Sequence, residues 1–261
     1  MEAVTGVFSS LDNAEKAVRS LQANGVAEGR ITLLTPRANG PQLASIPTES
    51  TEQPGIGTAI GSVVGGAAGL SGGLAVAMLP GVGQVTALGI LGAAVLTAAG
   101  ASVGAVTAGS LENSLSQGLP EDEIFVYEDA LRHGRCVVIA LAEDEAEAKP
   151  FRKLLKLAGA EAVDAAREQW WIGLRSAEQE HYSKTGRKFA DDEKFYRLGF
   201  EAALHARNRC KEFDQTSAEM ESNLEDLQQQ YPGVDVAEPF TRGYRRGREH
   251  YQHLCDESKA A

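Results

Sequence analysis

Charge is the first thing missing. Residues 53–111 include no Asp, Glu, Lys, Arg or His. Cysteine is scarce as well: Cys136, Cys210 and Cys255 are the only three, odd in number and widely spaced. They give neither a disulfide framework nor a zinc spacing, so reduced thiols are expected. Basic charge is outweighed, with 25 Lys and Arg against 36 Asp and Glu and a net charge of −11. That balance argues against a nucleic-acid binder, which presents a basic face to phosphates. The N-terminal MEAVTGVFSS lacks a basic region ahead of an apolar core, so no cleaved signal peptide is expected and the soluble parts should face the cytoplasm. The glycine-rich run holds no Gly-Lys-Ser/Thr, and no G-x-G-x-x-G opens a helix after a strand, which excludes a nucleotide loop. No cofactor and no small-molecule substrate is expected.

Small residues fill the uncharged stretch. Gly57, Gly61, Gly65, Gly69 and Gly73 fall on a four-residue period, which on a helix makes one bare stripe. Gly89, Ala93, Thr97, Ala101, Ala105 and Gly109 repeat the pattern, and Leu79-Pro80-Gly81 between the halves breaks a helix. These spacings predict a helical hairpin, residues 55–79 and 82–111, whose stripes let helices touch backbone to backbone. The stripes are the expected self-association residues. Each arm exceeds the roughly 20 apolar residues that cross a bilayer. Length without charge favours a membrane hairpin at the cytoplasmic membrane, with lipid and further copies of the chain as partners. The alternative is a soluble structural protein whose hairpins form the buried core of a large oligomer or filament. Acidic flanks, Glu49, Glu52, Glu112 and the Glu121-Asp122-Glu123 run, give no orientation by the positive-inside rule.

Around this segment the pattern is α+β. Glu2 to Phe8 alternates as a strand, with Val4 and Phe8 inward. Ser9 or Ser10 caps a helix carrying Ala14, Ala17, Val18 and Leu21, and Asn24-Gly25 stops it. Ile31 to Thr35 is a second strand, and 37–54 a polar linker. Beyond the hairpin, Pro120 opens a helix with Ile124, Tyr127 and Leu131 on its buried face, closed by His133-Gly134. Arg135 to Leu141 is the clearest strand. A helix follows across Ala148, Phe151, Leu154, Leu155 and Ala158, with Pro150 beginning or kinking it, and Ala162 to Arg167 is a last strand. Strand, helix, strand, twice over, is the split βαβ, ferredoxin-like order, with the hairpin inserted in the central connection. The expected domains are 1–52 with 112–168, then 53–111, then a helical 169–261.

GVFSSLDNAEKAVRSLQANGV, ITLLT, the glycine-rich hairpin with its central Pro-Gly, LPEDEIFVYEDALRHGRCVVIAL and Gly159-Ala160 together resemble a bacterial general-stress family, often labelled heat-induced stress proteins. The resemblance covers roughly residues 1–168. It implies a membrane-associated or oligomeric stress protein with no established enzymatic activity, and it brings no catalytic motif.

The last third turns to charged, aromatic helices. One expected face is Trp170 or Trp171, Leu174, Ala177 and His181, and another is Phe195, Leu198, Gly199, Ala202 and Ala206. Thr216 with Glu219 makes a capping box before Met220, Leu224 and Leu227. Phe240, Gly243, Tyr244, Gly247, Tyr251 and Leu254 make the last face. Gly199-Phe200-Glu-Ala-Ala203 resembles Gly243-Tyr244-Arg-Arg-Gly247, which predicts that these two helices cross closely at their small residues. A metal site would have to gather His205, Cys210, His250, His253 and Cys255, but their spacings do not set ligands on one helical face beyond His250 and His253, and surface or packing roles fit better. Arg242, Arg245, Arg246 and Arg248 are expected to neutralise the Glu225-Asp226 region or another subunit, and acid pairs such as Asp191-Asp192 to sit at helix starts.

Overall fold

The computed structural model describes residues 2–36, 74–79, 83–88, 120–205, 208–209, 213 and 217–260. The chain is a mixed helix and sheet protein of the α+β class. Its elements run β1 (Glu2–Phe8), α1 (Leu11–Ala23), β2 (Ile31–Pro36), β3 (Leu74–Leu79), β4 (Gly83–Leu88), α2 (Ile124–Arg132), β5 (Cys136–Ala142), α3 (Glu145–Leu157), α4 (Val163–Ser183), α5 (Phe189–Leu204), α6 (Ser217–Gln230) and α7 (Ala237–Ala260). Contacts divide the described residues into two compact units, those within 1–119 and 130–162, and those within 120–129 and 163–261. The helical unit therefore takes in the start of α2 and opens at Val163.

In the first unit the strand order is β1-β5-β2-β4-β3, every neighbour antiparallel. Val4, Phe8, Ile31, Leu33, Val138 and Ala140 line the face packed against Ala14, Val18 and Leu21 of α1 and Phe151 and Leu155 of α3. Every residue of β5 is buried, so both faces are covered at this strand, as its uninterrupted CVVIALA run requires. The Ser10 hydroxyl accepts from the Asn13 amide at the start of α1, and the Asp144 carboxylate from the Glu147 amide, 2.9 Å, at the start of α3. Pro150 lies inside α3, where it removes one backbone hydrogen bond. Pro120 precedes a short 3-10 turn, Glu121–Glu123, and the α-helix begins at Ile124.

Two expected elements are replaced. Residues 162–167 do not form a strand. Glu161 alone bridges to Val7, each amide donating to the other's carbonyl at 2.8 and 3.0 Å, and Val163 then opens a 21-residue helix. Asp164-Ala-Ala-Arg-Glu168 carries strong helix formers and no β-branched run, which decides the matter locally. Gly159, at φ 92, supplies the left-handed turn between α3 and that bridge.

The second replacement falls in the uncharged segment. Residues 74–79 and 83–88, expected as the facing ends of two helices, are strands. Leu79 pairs with Gly83, Leu74 with Leu88, and β4 continues onto β2 through Leu34↔Ala87 and Pro36↔Val85. The free edge of β2 offers backbone donors and acceptors that need partners, and two six-residue arms around Pro80-Gly81 supply them. The strict glycine period ends at Gly73 and the small-residue period resumes at Gly89, so the paired strands lie between the two stripes. Among the described residues no helix is long and apolar enough to cross a membrane.

In the helical unit α5 and α7 cross backbone to backbone. A Cβ on Gly199 would lie 2.8 Å from the Phe240 carbonyl carbon and 3.0 Å from the Tyr244 nitrogen, with the Phe240 oxygen closer still. Gly243 meets Tyr196 and Phe200 in the same way, at 2.8 and 3.0 Å. The two Gly-aromatic motifs therefore seat each other reciprocally, as their similarity in sequence predicts.

Candidate functional site

The expected self-association residues, Gly57, Gly61, Gly65, Gly69, Gly73, Gly89, Ala93, Thr97, Ala101, Ala105 and Gly109, lie outside the described residues. So do Thr216 and Cys210. Of the remaining metal candidates, His250 packs its ring 5.5 Å from that of Phe200, and Cys255 lies on α7. Among the described residues no three His, Cys, Asp or Glu gather to hold a metal.

The described residues concentrate their chemistry in the helical unit, where rings and carboxylates interleave. The buried face of α4 is Trp170, Trp171, Glu178 and Tyr182. Ala177 and His181, expected on that face, are exposed. The apolar period misses the true face because Glu178, a charged residue, occupies its centre. Leu198, expected in the core, is 38% exposed.

Three acids of this unit, Glu178, Asp192 and Glu193, each have an aromatic donor and an arginine. The Tyr196 hydroxyl donates to Glu178 at 2.7 Å, and Arg246 Nε donates to the same carboxylate at 3.0 Å. Arg246 thus serves α4, while Arg242 pairs with Glu238 one turn before it on α7; neither serves the expected Glu225-Asp226 region. The Tyr182 hydroxyl donates to Asp192 at 2.7 Å, and Arg187 bridges Asp192 (2.6 Å) to Asp235 (2.8 Å). Asp192 is therefore a buried anchor as well as a first-turn acid. Trp171 Nε1 donates to Glu193 at 3.0 Å, and Arg175 holds that carboxylate through two bonds of 2.7 Å. Trp171, Glu193, Lys194, Arg197 and Leu198 line a groove of about 500 Å³ beside α5. Burial and the adjoining carboxylates push the Tyr182 and Tyr196 hydroxyls well above the usual phenol range.

These carboxylates are already matched by arginines, which suits holding helices together. Arg187 beside Asp192 holds its carboxyl below the usual range, despite the opposing effect of burial. The stabilisation is present above the unfolded carboxyl value of about 4 and is lost as pH falls below it towards the folded value. Urea unfolding followed by tryptophan fluorescence should therefore show the helical unit losing stability in that acid window. Asp192→Asn should start less stable at neutral pH and show a flatter acid limb; an unchanged limb would exclude Asp192 as its source.

The sequence alone missed Glu178 and Asp192 as buried anchors. Glu178 was visible in one respect: it stands seven residues after Trp171 and four before Tyr182, one helical stripe. No protein-family model, curated protein or solved structure matches the chain, so no relative's activity carries over to these residues.

Proposed function

We propose that this chain is a non-enzymatic, stress-associated protein that assembles with further copies of itself through its uncharged segment, residues 53–111. The observation that carries this is the pairing of the segment's central part: LAVAML and GQVTAL extend a protein sheet from β2. An uncharged strand without proline lacks the features that keep sheet edges from associating, and stripes of small residues flank it on both sides. Stress association is supported by the resemblance of residues 1–168. A ferredoxin-like first unit is part of the proposal, supported by the order Glu161-β1-β5-β2, with the last strand reduced to one bridge and the β3–β4 hairpin added at the edge.

A second reading places the flanking stretches, 53–73 and 89–111, in the cytoplasmic membrane, with the soluble units facing the cytoplasm. Their freedom from charge over about the length of a bilayer crossing favours it. The size of the native full chain in detergent-free solution, set against Gly65→Leu, tests the assembly; a carbonate and detergent step separates the two readings.

A further inference from the structure

The helical unit places three oxidisable rings in a row, each with a carboxylate at its acidic hydrogen. Ring centroids are 6.4 Å apart between Trp171 and Tyr196, and 5.0 Å between Tyr196 and Tyr182. Trp170 stands 6.0 Å behind Trp171. The indole N–H of Trp171 points to Glu193, the phenol of Tyr196 to Glu178 and that of Tyr182 to Asp192. All three residues are buried, between 1 and 3% exposed, and of the three Trp171 borders the groove beside α5. Removing an electron from an indole or a phenol makes its N–H or O–H strongly acidic, so oxidation is easiest where a base already receives that proton. Tryptophan and tyrosine are among the few side chains that give up one electron readily, and near-contact rings pass the vacancy between them.

We infer that the helical unit carries a one-electron relay, in which an oxidising equivalent taken up at Trp171 moves inward to the Tyr196–Tyr182 pair. Trp171 is the entry because it lines the groove beside Lys194 and Arg197. The Arg197 guanidinium stands 5.6 Å over its ring and disfavours positive charge resting there. The oxidant class is a small diffusing one-electron radical. With the azidyl radical, one electron leaves Trp171 to give azide, and the indole proton passes to Glu193. Tyr196 then gives an electron to the indolyl radical and its phenolic proton to Glu178, while Glu193 returns its proton to the indole nitrogen. The net change is one phenol and one carboxylate converted to a phenoxyl radical and a carboxylic acid. Arg246 on Glu178 and Arg187 on Asp192 hold these acceptors in place. The relay is independent of self-assembly and stands or falls without it.

Pulse radiolysis of the full chain with azidyl radical tests it. The chain has two tryptophans, Trp170 and Trp171, side by side, so the indolyl absorbance reports oxidation at this pair. That absorbance should decay with first-order kinetics, at a rate independent of protein concentration, as phenoxyl absorbance grows in equal yield. Tyr196→Phe should abolish the growth, and Tyr182→Phe should retain it on Tyr196. Should Tyr196→Phe fail to fold, Glu178→Gln keeps every ring and should slow the same growth. Absence of phenoxyl growth in the wild type, or growth unchanged in Tyr196→Phe or Glu178→Gln, would overturn the relay.

Discussion

Gly199→Leu and Gly243→Leu should each unfold the helical unit. At both positions a single added carbon would sit inside the contact distance of a facing backbone carbonyl, Phe240 in one case and Tyr196 in the other. Backbone cannot turn aside as a flexible side chain does, so α5 and α7 would have to separate. Overpacking a tight core usually costs about 1–3 kcal/mol. Separation here would also open the packing of Tyr196, Phe200, Phe240 and Tyr244, all buried. A loss above about 4 kcal/mol is expected, in the range kept for large core disruptions. Gly173→Ala provides the contrast, because nothing lies within 4 Å of a Cβ added there, inside α4. It should stabilise by up to about 1 kcal/mol through helix propensity. Urea unfolding followed by tryptophan fluorescence reads all three, since Trp170 and Trp171 both belong to this unit. A Gly199→Leu protein with wild-type stability would show that the two helices do not cross as described.

Glu128→Ala should be nearly as damaging. Arg209 Nη1 donates to Glu128 at 2.6 Å, with the two side chains only 6 and 8% exposed. Arg209 Nε donates to the Leu204 carbonyl at 2.9 Å, and the guanidinium lies 4.8 Å from the Tyr251 ring centroid. Removing the acid strips a deeply buried cation of its counter-charge, which typically costs about 3–5 kcal/mol. The intact pair is a different matter, because bringing two charges out of water offsets most of their attraction. The double variant Glu128→Leu with Arg209→Met should therefore recover most of the stability lost in Glu128→Ala. Equal losses in the single and double variants would mean that packing, and not charge, dominates there.

How legible the fold is in the sequence depends on the kind of pattern involved. β1, α1, β2, β5 and α3 follow from alternation, helical spacing and caps, and their partners lie within one unit. The crossing of α5 and α7 is legible because a glycine beside an aromatic occurs twice, at Gly199 and Gly243, and only close approach gives that pair a purpose. The strands at 74–79 and 83–88 are hidden because small-residue stripes of helical period flank them on both sides and Pro80-Gly81 between them reads as a helix break. Pairing with the edge of β2, a long-range fact, overrides that local rhythm. Glu178 and Asp192 are hidden for another reason. Their tyrosines stand 18 and 10 residues away, and nothing in a linear pattern marks a carboxylate as the partner of a distant phenol.

The most direct test of self-assembly is the mass of the native full chain. Wild-type protein and Gly65→Leu would be sized by light scattering in detergent-free solution after a carbonate wash, then again with detergent. Assembly through the uncharged segment predicts multimers that survive both steps, and a clear fall in mass for Gly65→Leu. A monomer, or a Gly65→Leu protein of unchanged mass, would contradict it. Wild-type protein that stays with membranes through carbonate and enters solution only with detergent would place the same segment in lipid.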